Sequence, residues 1–157
     1  MKIVKKIAVI LLLVLLAMQF YRPVKNLSQG NHSVTFITET NPSVRVREIL
    51  ENACYDCHSN NTRYPWYNTI APVSFWLSNH IDDAKEELNF SIWGDYSTQK
   101  KSHKLEEVIE LIENDEMPLK PYTWMHSEAK LTTEEKQAVI AWAKRSRTLY
   151  QLNQQPR

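Results

Sequence analysis

Glycine is almost missing from this chain: Gly30 and Gly94 are the only two among 157 residues. They stand too far apart for a glycine-rich phosphate loop, in which clustered glycines let the backbone approach a ligand. Cysteine is equally scarce. With only Cys54 and Cys57 present, a disulfide-dense scaffold is excluded. The formal charge of +1 argues against the basic surface that a nucleic-acid binder needs. No segment alternates apolar and polar residues strongly enough to predict a strand, and there is no internal repeat. What is present is 43% hydrophobic residues and five Trp, enough to fill one core. The length fits one domain, or one domain with an appendage.

The near-zero charge hides two unlike parts. Residues 1–30 carry five basic residues (Lys2, Lys5, Lys6, Arg22, Lys25) and no acidic one; the rest carries 14 basic and 18 acidic residues, a net of −4. Ile7 to Tyr21 reads IAVILLLVLLAMQFY, an apolar run behind a basic start. That is the pattern of an export signal, and no small-residue cleavage site follows it clearly. The expectation is a signal-anchor or transmembrane segment over 1–21, in a bacterial inner membrane with the following domain in the periplasm. A cleaved signal with a soluble periplasmic domain is the alternative. Residues 22–40 read as a linker containing Pro23, Gly30 and a solvent-facing His32, with Val34, Phe36 and Ile37 as a short extended stretch docked on the domain. The domain is then 41–150, and 151–157 is a polar tail.

Four helices are predicted in that domain, which reads as all-α. The first is capped by Asn41 with Pro42 at its first position and buries Val46, Ile49, Leu50 and Ala53. The second starts near Pro72, with Val73, Trp76, Leu77, His80, Ile81, Ala84 and Leu88 at helical spacing. The third spans about 99–114 with Leu105, Val108, Ile109 and Ile112 inward; His103 sits among Lys100, Lys101 and Lys104 on a polar face. The fourth opens on a Thr132–Glu135 capping box and continues through Val139, Trp142, Ser146 and Leu149. Residues 63–70 and 117–126 read as loops. Lys85 to Glu87 and Glu113 to Glu116 read as solvated faces.

The first helix runs into Cys54-Tyr55-Asp56-Cys57-His58, a C-x-x-C-H pattern. Two thiols one turn apart can each add to a vinyl group of one porphyrin, and the adjacent imidazole then reaches the iron. A redox dithiol, a zinc site and a plain structural pair compete with this. The dithiol lacks the βαβ context of thioredoxin-like folds, and closed zinc sites want a fourth ligand. Export, motif and the absence of further cysteine agree on one covalent haem c, with His58 bound to its iron.

A sixth ligand is expected from Met117, a soft thioether followed by Pro118, 59 residues after His58. Met125, His126 and His80 are its rivals; a core filler is the other role open to Met117, and a hydrogen-bonded core residue the other role open to His80. Arg63, Tyr64, Trp66, Tyr67 and Asn68 follow the motif closely. Their rings suit a porphyrin wall, with Tyr67 against it, and Arg63 or the Trp66 N–H suits its propionates. A core aromatic loop is the other reading.

Taken together, Cys54-x-x-Cys57-His58, Met117-Pro118 and a capped terminal helix (LTTEEKQAVIAWA) resemble a small single-haem c-type cytochrome. The runs CHSNNTRYPWYNTIAPVSFWLSNHI, LNFSIW and EMPLKPY resemble, more narrowly, the bacterial haem-binding domain family, over about Asn41 to Ala143. The resemblance implies a cytochrome-c-like domain with haem attached at Cys54, Cys57 and His58, a methionine ligand at Met117, and a membrane-anchored or exported protein. The Trp-rich stretch from Arg63 to Trp93 departs from ordinary small cytochromes.

With both axial positions filled, no site is open for substrate, so the expectation is a non-enzymatic, membrane-tethered electron-transfer cytochrome. Its expected partners are membrane redox proteins or other cytochromes, with the membrane itself engaged by the N-terminal segment and no nucleic acid. The alternative is a haem-based sensor or ligand-binding module with a displaceable sixth ligand.

Overall fold

A computed structural model describes residues 2–28 and 33–152. Gly30, His32 and the tail beyond Leu152 lie outside the described residues. The described chain is all-helical, and its one β-type contact is an isolated bridge between Leu27 and Asn61.

Helix α1 (Lys2–Met18) presents its side chains to the exterior along its length. At about 1.5 Å per residue, its 17 residues reach roughly 25 Å, short of the ~30 Å of a bilayer's hydrocarbon core. Among the described residues no helix is long and apolar enough to cross a membrane. The expected single-pass inner-membrane placement is therefore overturned.

Residues 22–28 join the domain through Asn26, and residues 33–40 dock on it. The second of these is a helix, α2 (Val34–Thr40), not an extended stretch. Phe36 is fully buried, with ring centroids 4.5 Å from Phe90, 5.2 Å from Trp93 and 5.7 Å from Trp142. Asn41 closes this helix in the left-handed region (φ 40°), which Asn tolerates better than most residues. The N-cap of α3 (Val44–Ala53) is therefore Ser43, whose Oγ accepts from Val46 N at 3.3 Å, and not the expected Asn41. Val46, Ile49, Leu50 and Ala53 are buried as their spacing requires.

A single helical turn, α4 (Tyr55–His58), follows. Helix α5 (Val73–Glu87) buries Leu77 and Ile81, but Val73 and Trp76 are exposed. Helix α6 (Thr98–Glu113) starts at the Ser97 cap and buries Leu105, Ile109 and Ile112. Lys101 and Lys104, expected on its polar face, are only 8% exposed. Their ammonium groups reach Glu39, and Glu87 with Glu107, while their stems cover the core. His103 does face solvent. The two expected loops contain short helices: a 3-10 turn at Trp66–Thr69 and α7 (Lys120–Met125).

Helix α8 (Thr133–Leu152) opens on the expected capping box: Thr132 N donates to Glu135 Oε2 (2.8 Å) and Glu135 N to Thr132 Oγ1 (3.2 Å). It runs antiparallel to α6, as the ion pairs Asp115–Lys136, Glu113–Lys144 and Glu106–Arg147 show. Val139, Trp142 and Ser146 face inward; Leu149 is exposed. Trp142 Nε1 and Ser146 Oγ both donate to the Thr40 carbonyl (3.1 and 3.2 Å), which fastens α2 to α8.

Candidate functional site

The Cys-x-x-Cys-His run occupies the break between α3 and α4. Cys54 leaves helical geometry at φ −126°, and its carbonyl accepts from Cys57 N (3.2 Å) and His58 N (2.9 Å). One carbonyl thus gathers both thiols and the imidazole on a single turn. Both thiols are free. Burial, then the neighbouring Cys57, pushes the Cys54 thiol up to about 12; burial, then Asp56, pushes Cys57 up to about 11. A redox dithiol needs the opposite, a thiol shifted towards its thiolate. Among the described residues no three His, Cys, Asp or Glu side chains converge as a metal ion's ligands would.

His58 Nδ1 lies 3.1 Å from the Ala84 carbonyl and 2.9 Å from that of Leu88, at the C-terminal end of α5. Carbonyls only accept, so Nδ1 carries the proton and Nε2 keeps its lone pair. The Ala84 carbonyl already accepts from Leu88 N at 2.9 Å, and the imidazole adds a donor to it and to the Leu88 carbonyl just past the end of α5. Burial lowers the His58 pKa, outweighing the two backbone bonds that would raise it, and Lys104 adds to the lowering. A neutral ring with Nδ1 tied to a carbonyl is the usual form of a ligating histidine.

Cys54, Cys57 and His58 open on a cavity of about 370 Å³. Helices α3, α6 and α8 wall it with apolar groups, among them Leu50, Leu111, Ile112 and Val139. Helix α5 and the connection from α6 to α7 complete it, bringing in His80, Met117 and Tyr122. Its rim is polar, with Glu87, Lys104, Glu107 and Glu110. At Lys104, burial disfavours the charge, but bonds to Glu107 and Glu87 outweigh it and raise the pKa. Met117 N donates to Leu111 O at 3.1 Å, holding the residue at the end of α6. The lining, mostly apolar with a few charged side chains, two thiols and an imidazole, fits a largely apolar group that carries some polar substituents.

Arg63, Trp66 and Tyr67 do not line this cavity. Arg63 is turned to α4, where its Nε lies 3.1 Å from Asp56 Oδ1. Trp66 is 71% exposed. Tyr67 bonds through its hydroxyl to His126 Nε2 at 2.8 Å. The cavity lining comes from helix faces and the α6–α7 connection, and Arg63, Trp66 and Tyr67 make their contacts elsewhere. His80 does reach the cavity, with Nδ1 3.0 Å from Trp76 O.

Two contributors were not expected. Asp56, between the cysteines, is 5% exposed and bonds to Arg63 and Tyr122. Asn26 braces the chain just after His58. Its Nδ2 donates to Ser59 O (2.8 Å) and Thr62 Oγ1 (2.9 Å), and its Oδ1 accepts from Lys85 (3.0 Å). No local pattern marks Asn26, whose partners lie more than 30 residues away.

A family model described as Haem-binding domain matches residues 13–145, starting well before the span expected from the motifs. No curated protein and no solved structure matches the chain.

Proposed function

Because the chain belongs to the haem-binding domain family and so binds haem, we propose that it holds one covalent haem c and transfers electrons. In this reading Cys54 and Cys57 would carry the thioether links, and His58 Nε2 and Met117 Sδ would hold the iron of a cytochrome-c-like site. The observation that carries it is His58 itself. Its Nδ1 is tied to two α5 carbonyls while the ring opens on the same cavity as both thiols and Met117.

The same geometry favours Met117 over His80 as the sixth ligand. His80 shares α5 with the carbonyls that hold His58 Nδ1, so it stands on the His58 side of the cavity. Met117 enters from a different wall, the α6–α7 connection, and would be the second residue to hold the group. When bound, the group supplies a one-electron couple. The chain supplies the rest: α5 orients the imidazole, and the apolar walls exclude water and lower the local dielectric. With His58 and Met117 both holding the group, the protein would act as a carrier and not an enzyme, and its partners would be other redox proteins, cytochromes among them.

Expressed in a host with c-type maturation machinery, the protein retains haem through denaturing electrophoresis, and the peptide containing Cys54 and Cys57 gains the mass of haem. Haem-free protein from such a host overturns the reading. Met117→Ala abolishes the sulfur-to-iron charge-transfer band and lowers the reduction potential. If His80→Ala does this instead, the ligand assignment is wrong. Rapid carbon monoxide binding by the reduced wild type makes the protein a ligand-binding module in place of a carrier.

A further inference from the structure

We propose that Asp56 is a positioning residue that fixes the Met117-bearing segment to the attachment turn through Tyr122. A buried carboxylate has to be matched by donors. Asp56 Oδ1 accepts from Arg63 N (3.0 Å) and Arg63 Nε (3.1 Å); Oδ2 accepts from Arg63 Nη2 (3.3 Å) and the Tyr122 hydroxyl (2.7 Å). Arg63 is itself pinned to the end of α3 by Glu51 O (2.9 Å) and Asn52 Oδ1 (3.2 Å). The carboxylate is therefore stationary, and its shortest bond crosses 66 residues to α7.

Tyr122 lies five residues after Met117, and its ring lines the cavity. It also stacks on His126, with centroids 4.3 Å apart and planes 15° from parallel. Residues 117–126 are thus held at three points: Met117 N on Leu111 O, Tyr122 on Asp56, and His126 on Tyr67. Only the middle bond joins this segment to the turn that bears Cys57 and His58, among the described residues. It sets how far Met117 stands from His58 across the cavity. Arg63 alone would satisfy the Asp56 charge, so removing the Tyr122 hydroxyl releases the segment without stranding a buried carboxylate.

Tyr122→Phe in the haem-loaded protein tests this by amide hydrogen exchange. Loss of a charge-assisted hydrogen bond should speed exchange across residues 117–126 by about tenfold or more, with α6 within about twofold of wild type. Unchanged exchange in that segment, or equal acceleration in α6, overturns the proposal. The spectroscopic arm rests on Met117 being the sixth ligand. If wild type shows the sulfur-to-iron band, Tyr122→Phe weakens it and speeds carbon monoxide binding to the reduced protein; an unchanged band and carbon monoxide rate overturn the proposal. A wild type without the band overturns the ligand reading, and the exchange comparison still decides the role of Asp56 and Tyr122.

Discussion

At the scale of single residues, the site depends on groups that orient others. His58 is a ligand candidate by sequence, but its tautomer comes from Ala84 and Leu88. Asn26 shows how a residue outside the motif stabilises the chain after it. Asn26→Ala removes three side-chain hydrogen bonds and leaves groups on Ser59 and Thr62, each 5% exposed, with fewer partners. At roughly 1 kcal/mol net per bond, the cost should be about 2–3 kcal/mol. A denaturant titration of the haem-loaded protein checks this: the midpoint falls and the slope stays constant. The Cys-x-x-Cys-His motif was legible because its chemistry is local. Asp56 stood in plain view inside that motif, but its role depends on Tyr122, 66 residues later, and no spacing rule links the two.

At the scale of elements, long periodic helices were legible and short ones were not. Helices α3, α5, α6 and α8 carry repeating apolar faces, and α8 opens on its capping box. VTFITET is rich in β-branched residues and reads as extended by propensity, yet forms α2 because Phe36 gains a full aromatic shell in that geometry. Helix α7 has six residues with a proline near its start, too few for a period. The packing of α2 also predicts acid sensitivity. Glu39 accepts from Lys101 Nζ and the Tyr150 hydroxyl, joining α2 to α6 and α8. Burial opposes its charge, but these bonds outweigh it and hold its carboxyl below the usual glutamate range. A depressed carboxylate stabilises the fold above its unfolded pKa and loses that contribution as pH falls through the folded value. Glu39→Gln should therefore show a shallower loss of stability than wild type across the acidic side of the carboxylate range. Equal slopes in urea midpoints measured against pH would contradict this.

At the scale of the whole molecule, the cavity sits where α3, α6 and α8 would otherwise meet, and its apolar walls stay unburied unless a group fills it. A Cys54→Ser, Cys57→Ser double variant purified without haem should therefore show no cooperative thermal transition, and calorimetry with a sharp transition would contradict that. The sequence by itself determined the helical class, the four main helices, the capping box of α8 and membership of a haem-binding family. These depend on period, caps and adjacency, all properties of nearby residues. The tertiary structure decided which walls enclose the cavity and that Arg63 serves Asp56. It also decided that residues 22–28 and α2 belong to the packed unit. Each of these rests on contacts between residues tens of positions apart, which form only when burial of Phe36, Trp93 and Trp142 brings the helices together.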